Sequence, residues 1–391
     1  MLSGQTIANI GDTIYVVAII SSIFSWTNSA LAASVVPVIL TSSKTIGGFL
    51  TPVISQRFSL ENILKKTQLS KTFLLILLAV YVQSLSARPN IGILYAFVML
   101  IALLDGCADP ISLSLVPKYV QAQFLIKANS LVNTMIQLVN IGSWAVGTSL
   151  LLWFSVTNLI WLDTGLYLIA TLLLFFLPKT AVEKQANHSL RKELVIGWQY
   201  VMQQPLLRTV LLLNIFEAVA NSVWVSSIIL VFVTEFMEKT DNWWGYINAT
   251  FFFGSLMGSG IVIAKSDWFN KNKFLAIFCG AALSGLVTLG IITWNNGLFI
   301  LLISIFVGIF SQIKSIPQNT LIQQQTKADK LIYVYSTINI MYTAVFSLAI
   351  LFMGRLVDIF NVTSAFILSG LLLIIVAFIV LAKRKLFEVL E

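Results

Sequence analysis

Residues 363–382 read TSAFILSGLLLIIVAFIVLA, a run without one charged side chain. An uninterrupted apolar stretch of about 20 residues is the length that crosses the hydrocarbon core of a bilayer as a helix. The rest of the chain has the same character. Of its 391 residues, 58% are hydrophobic and 10% are charged, and the mean hydropathy is +0.91. A soluble domain carries roughly 25% charged residues, and most of its surface has to stay wettable. The composition therefore excludes a soluble nucleic-acid binder, a disulfide scaffold and a disordered chain.

Working back from that run, twelve segments are long and apolar enough to span, at roughly 3–25, 30–55, 70–87, 91–114, 130–154, 158–177, 206–232, 243–264, 274–294, 298–319, 331–353 and 363–382. Alternating strands of a membrane barrel would give runs of about 10 residues instead. The fold class expected is all-α integral membrane, with twelve transmembrane helices in two pseudo-symmetric six-helix bundles. The domains expected are 1–178, a cytoplasmic linker with an amphipathic helix at 179–205, and 206–391. On that linker Leu190, Leu194, Trp198 and Val201 share one side, as in a helix lying on the inner membrane surface.

The net charge of +8 is a topology signal. Arg57, Lys65, Lys66 and Lys71 follow the second span. Lys118 and Lys127 follow the fourth. Lys179, Lys184, Arg191, Lys192 and Arg208 cluster in the central loop. Lys265, Lys271 and Lys273, then Lys327 and Lys330, then Lys383, Arg384 and Lys385 continue on the same side, while the opposite loops hold Arg88, Lys239 and Arg355. Basic residues collect in cytoplasmic loops, so both termini are expected in the cytoplasm of a multi-pass protein of the plasma membrane. No cleavable leader is expected, because MLSGQT lacks a basic start.

The two halves also share a pattern. Ser130, Asn133, Met135 and Val139 recur in the same order and spacing as Ser336, Asn339, Met341 and Val345. Internal repeats of this kind place a binding site near the midplane, between the repeats.

Several motifs carry a resemblance: SGQTIANIGD at 3–12, DPISLSLVPKYVQAQFLIKANSLVN at 109–133 and WLDTGLYLIAT at 161–171. GWQYVMQQPLLRTVLLLNI at 197–215, GSLMGSG at 254–260 and GRLVDIFNVTSAFILSG at 354–370 follow in the expected order. In these the chain resembles the major facilitator superfamily, and within it the branch of macrolide-efflux and enterobactin-exporter-like proteins. The resemblance implies a secondary transporter with its cavity lined by helices 1, 4, 7 and 10. It also implies a gating loop after helix 2, of which Arg57 survives while Pro52 and Gln56 stand where the pattern has Gly and Asp. The antiporter motif of helix 5 is represented by GSWAVG at 142–147, where Gly142 and Gly147 survive.

An ionisable group at mid-membrane costs about 2.5–3.5 kcal/mol on insertion scales, so it faces a protein interior or a water path. Seven such groups fall inside spans: Asp12, Lys44, Asp105, Asp109, Asp163, Glu217 and Lys314. The candidate proton-coupling and substrate residues are Asp12, Glu217, Asp105, Lys44, Lys314 and Asp109; the candidate gate residues are Arg57, Gly142 and Gly147. A carboxyl at the depth of Glu217 can exchange protons with a water path, which a proton-coupled carrier requires. Its alternative is a neutral Glu bonded to a neighbouring helix. Asp12 and Lys44 are expected to pair, as a working site or as a structural clamp. Asp109, before Pro110, serves transport or simply ends the helix. Lys314 contacts substrate or snorkels to the cytoplasmic surface. Asp163 matches a helix 6 position outside the cavity set, where a structural contact is favoured. Phe216, Trp224, Phe251, Phe252 and Tyr342 are candidates for a greasy cavity wall.

No phosphate-binding Gly-x-x-x-x-Gly-Lys-Ser/Thr loop is present, so ATP is not the direct energy source. Cys107 and Cys279 lie in apolar runs, and the one histidine, His188, is in the linker. No cofactor, metal or enzymatic chemistry is expected. The function expected is proton-coupled export of an amphipathic or hydrophobic small molecule (a drug, siderophore or peptide-like compound) by alternating access, by a monomer in the lipid bilayer with no nucleic-acid partner. The alternatives are a non-transporting immunity or sensor protein on the same fold and an uptake permease.

Overall fold

The computed structural model describes residues 2–27, 30–55, 58–84, 90–176, 190–224, 226–240 and 242–388. These residues are almost wholly helical. The first six long helices are α1 (Leu2–Thr27), α2 (Ala30–Ser55), α3 (Leu60–Gln83), α4 (Ile91–Tyr119), α5 (Leu125–Trp153) and α6 (Val156–Phe175). After the linker helix α7 (Leu190–Gln203), the seventh span starts as α8 (Pro205–Asn221) and resumes as α9 (Ser226–Val231). Then come α10 (Asn242–Ala264), the short α11 (Ser266–Lys271), α12 (Lys273–Gly290), α13 (Gly297–Gln325), α14 (Leu331–Ile359), α15 (Val362–Ala382) and the short α16 (Arg384–Phe387). Twelve long segments thus stand where twelve were expected. Among the described residues, eight helices are by length and composition long and apolar enough to cross a membrane; α1, α2, α3 and α5 complete the set. Rows of large apolar side chains such as Leu348, Leu351 and Phe378 stay exposed, as a bilayer-embedded surface requires.

Helix starts follow local chemistry. The side chains of Ser59, Ser155, Asn296 and Asn361 accept the backbone N–H three residues on, at 3.4, 3.3, 3.1 and 2.9 Å. Ser59 corrects one expectation. Hydropathy places the third span from about residue 70, but the cap starts α3 at Leu60, so Glu61, Lys65, Lys66 and Lys71 all lie on a helix rather than in a loop.

The chain separates into two compact units, Met1–Lys118 with Gly142–Gly197, and Tyr119–Ile141 with Trp198–Glu391. In the first, α6 packs against α1 and α3 around Tyr15, Ile19, Leu75, Leu78, Val98 and Tyr167. In the second, α10 and α12 flank α13, while α8 packs on α14 and α15. The N-terminal part of α5 belongs to this unit. There the Asn129 amide donates to Thr320 Oγ1 at 2.9 Å and to Gln323 Oε1 at 2.7 Å, and Gln323 returns a bond to Asn129 Oδ1 at 3.3 Å.

Both units contain a seam in which two glycines let backbones touch. A methyl group on Gly106 of α4 would collide with the carbonyl of Lys44 on α2, and one on Gly47 of α2 with the carbonyl of Leu103 on α4. In the second unit Gly308 of α13 meets the carbonyl of Phe251 on α10, and Gly254 of α10 that of Ile305 on α13. Gly258 adds a further contact at Ile309, whereas Gly260 faces open space. Small residues permit this close approach in a bilayer, where packing must hold helices together.

Candidate functional site

The intramembrane charges gather in two places, one in each unit. In the first unit α1, α2, α3, α4 and α6 contribute to one cluster. Lys71 of α3, only 2% exposed, places its ammonium 3.2 Å from Asp12 Oδ1 and 3.5 Å from Oδ2 on α1. The same ammonium pairs with Asp105 Oδ1 on α4. The second Asp105 oxygen lies 3.4 Å from Lys44 Nζ on α2. From α6 the Tyr167 hydroxyl donates to Asp12 Oδ1, and its ring lies 4.5 Å below the Lys71 ammonium. Charge therefore runs in sequence across four helices: Asp12, Lys71, Asp105, Lys44.

This corrects the expected pairing of Asp12 with Lys44. Lys71 intervenes, taking Asp12 and half of Asp105, and Lys44 takes the other half. Lys71 escapes a hydropathy reading because it sits at the edge of an apolar run, in the order and company of cytoplasmic bases. Only its neighbours in space show that it points inward. Asp109, one turn further on α4, is exposed and joins none of these ion pairs.

Asp163 of α6 is wholly buried, and among the described residues neither of its carboxyl oxygens has a hydrogen-bond partner. Gly11, next to Asp12, makes room for it: a methyl group there would collide with Asp163 Oδ1 and lie 2.9 Å from the Tyr167 ring.

The second site lies in the other unit. Glu217 of α8 pairs through Oε2 with Lys314 of α13. Both are buried, at 4% and 8% exposure, and Glu217 Oε1 has no hydrogen-bond partner among the described residues. Lys314 does not snorkel to a surface. Gly280 of α12 lies against its backbone, where a methyl group would come within 2.8 Å of Lys314 N and Cβ, and its ammonium turns to Glu217.

One turn beyond Glu217 the seventh span breaks. Ser222–Trp224 form a 3-10 turn and Phe232–Phe236 a π-helical turn. The Ser369 hydroxyl of α15 donates to the Ala220 carbonyl at 2.8 Å, so a backbone acceptor at the break is not left bare. The break carries Asn221 and Trp224 to a cavity of about 290 Å³, whose wall also includes Phe251, Ser284, Ser311, Lys314, Tyr342 and Phe346. Trp224 stacks on Phe251 with ring centroids 6.0 Å apart, Tyr342 stacks on Phe346 at 5.8 Å, and Asn221 Nδ2 donates to Tyr342 Oη at 3.4 Å. Trp224, Phe251 and Tyr342 were anticipated as wall residues. Phe216 and Phe252 are not among the lining residues, and Asn221, Ser284 and Ser311 are polar additions that hydropathy does not single out. An aromatic box with an ion pair at its rim suits a ligand with an apolar body and a polar or charged end.

The candidate gate residues fall differently. Arg57 lies outside the described residues. Gly142 and Gly147 are helical positions within α5, and their surroundings lie outside what is described.

The profile of the Major Facilitator Superfamily matches residues 1–349. The chain is 28% identical to the MFS-type transporter YfmI of Bacillus subtilis (strain 168), over 96% of this chain and 94% of that one. It is 24% identical to YjbB of the same organism, over 99% and 95%. Among solved structures it is similar to the E. coli fucose:proton symporter FucP, with TM-score 0.71, 13% identity and 98% of each chain covered. It is also similar to the proton:xylose symporter XylE, with TM-score 0.74, 15% identity and 98% and 95% covered, and to a bacterial homologue of the iron transporter ferroportin, with TM-score 0.72, 12% identity and 98% of each covered. At these identities the structures speak for a shared fold, twelve helices in two six-helix bundles.

Proposed function

The chain belongs to the Major Facilitator Superfamily, and on that premise we propose that it is a proton-coupled exporter of amphipathic small molecules, working by alternating access. The observation that carries this is the aromatic cavity beside the buried Glu217–Lys314 pair. A ligand with an apolar body and a charged end stacks on Trp224 or Tyr342 and competes for one partner of the pair. In this reading Asp12, Lys44 and Asp105 belong to the coupling machinery, joined by Lys71, and Asp109, one turn further on α4, belongs with them. Arg57, Gly142 and Gly147 serve the conformational gate. Export follows from the motif resemblance. The protein acts as a monomer in the plasma membrane with both termini in the cytoplasm, on the strength of the basic loops.

Proteoliposomes holding the purified protein and a lipophilic cationic dye, ethidium, test the reading. A proton gradient should drive dye movement opposite to proton flow. Movement of dye with the protons favours an uptake permease; symport is the mode named for the two sugar transporters that share the fold. A protein that binds ethidium but moves none would be a binding scaffold.

A further inference from the structure

The first unit holds a wholly buried carboxyl outside its ion pairs. Lys44 and Lys71 balance Asp12 and Asp105 among the ion pairs. Asp163 stands beside this balanced set. Tyr167, one helical turn on, reaches Asp12, and Gly11, the neighbour of Asp12, supplies the space into which the Asp163 carboxyl packs. The titratable and charged groups facing it are Asp12 and Tyr15 from α1, Lys71 from α3, Asp105 from α4 and Tyr167 from α6. The Tyr15 hydroxyl is likewise buried without a partner among the described residues. A bare carboxylate with no donor, in the field of two further carboxylates, is one of the costliest arrangements a protein interior can hold. A carboxyl that holds its proton avoids that cost.

We propose that Asp163 is a proton-binding site of the first unit and the group whose protonation sets the state of the Asp12–Lys71–Asp105–Lys44 chain. With the proton on, Asp163 is neutral and Lys71 divides its ammonium between Asp12 and Asp105. Release sends the proton to water and leaves a third carboxylate facing Lys71. Lys71 is then drawn toward α6, its hold on Asp105 weakens, and Lys44 becomes the main partner of Asp105. A proton bound on α6 thus alters contacts among α1, α3 and α4, none of which carries Asp163. The position lies outside the helices expected to line the cavity, so the proton and the ligand occupy different places. The inference rests on the reading of the chain as a proton-coupled carrier only for its use; the presence of the proton is tested without any substrate.

Infrared spectroscopy of the purified full chain in lipid at neutral pH should show the C=O band of a protonated carboxyl. In protein labelled with carboxyl-¹³C aspartate that band should shift, and in Asp163→Asn it should lose the intensity of one group. The labelling arm separates aspartate from glutamate on the wild-type sequence, and Asp163→Glu, which keeps a carboxyl in place, should hand the band from the aspartate label to the glutamate label; a band that stays with aspartate in that variant overturns the proposal. A band that moves with labelled glutamate and not with labelled aspartate, or one of unchanged intensity in folded Asp163→Asn, overturns the proposal. In ethidium-loaded proteoliposomes Asp163→Asn should lose gradient-driven flux by about tenfold or more while dye still equilibrates down its own gradient; retention of full gradient-driven flux overturns it. Absence of ethidium flux in the wild type counts against the proposed exporter function, and the change of the band in the Asp163 variants still decides Asp163.

Discussion

The ammonium of Lys71 bridges from Asp12 on α1, at 3.2 Å, to Asp105 on α4. One buried cation thereby ties three helices. Replacing it by methionine keeps the length of the side chain and leaves the buried Asp105 and the half-buried Asp12 each short of a partner. Breaking a buried pair in this way costs about 3–5 kcal/mol. Lys71→Met should therefore lower the melting temperature in detergent by many degrees, and adding Asp12→Asn with Asp105→Asn should restore much of it. Additive losses in the triple variant would mean that the three side chains do not act as a unit.

The Glu217–Lys314 pair separates stability from transport. Glu217→Gln and Lys314→Met each leave one buried charge alone, and each should lower both melting temperature and ethidium flux. Combined, they remove both charges, so stability should return toward the wild type while flux stays at least about tenfold down. If flux recovers with stability, the pair is a clamp and the cavity works without it.

At the glycine seams the outcome depends on register. Gly254→Ala pushes a methyl into the carbonyl of Ile305, and Gly106→Ala does the same to Lys44. Overpacking of this kind costs about 1–3 kcal/mol. Gly260→Ala, six residues along the same helix from Gly254, meets nothing and should be neutral or slightly stabilising, since alanine favours a helix. Thermal unfolding of the three side by side checks the prediction; equal losses would show that glycine matters there for reasons other than contact.

Ser369 should be needed at the break in the seventh span. Ser369→Ala removes the donor to the Ala220 carbonyl, and loss of such a bond typically costs about 1 kcal/mol. The effect should concentrate locally. Hydrogen exchange at residues 222–236 should speed up while α12 is unchanged. Uniform acceleration throughout the second unit would point instead to general loosening.

Hydropathy carried the helical architecture well. Twelve apolar runs are a property of local composition, and the bilayer imposes them segment by segment. The helix ends were less legible: α3 begins about ten residues before its apolar run because Ser59 caps it and its first turns are charged. The site was legible as a set of residues rather than as a network. Charges inside spans announce themselves, and Asp12, Lys44, Asp105, Glu217 and Lys314 all enter ion pairs. Their partners do not follow from position along the chain. Lys71 looks like a loop base, and Asp163 gives no hint in sequence that it lacks a partner. Asn221 reaches its cavity because the helix breaks after Glu217, and no proline or glycine marks that break.

The paired glycine seams separate the fit between helices from the chemistry beside it. Gly106 seats on the carbonyl of Lys44, and its counterpart Gly308 seats on that of Phe251. Just before these glycines stand Asp105 and Val307. One seam is thus flanked by an ammonium and a carboxylate, and the other by an aromatic ring and an aliphatic chain that wall the cavity. Because the contact is made by backbone and glycine alone, the side chains beside it are free to differ: charge can flank one seam and a greasy wall the other with the same fit between helices.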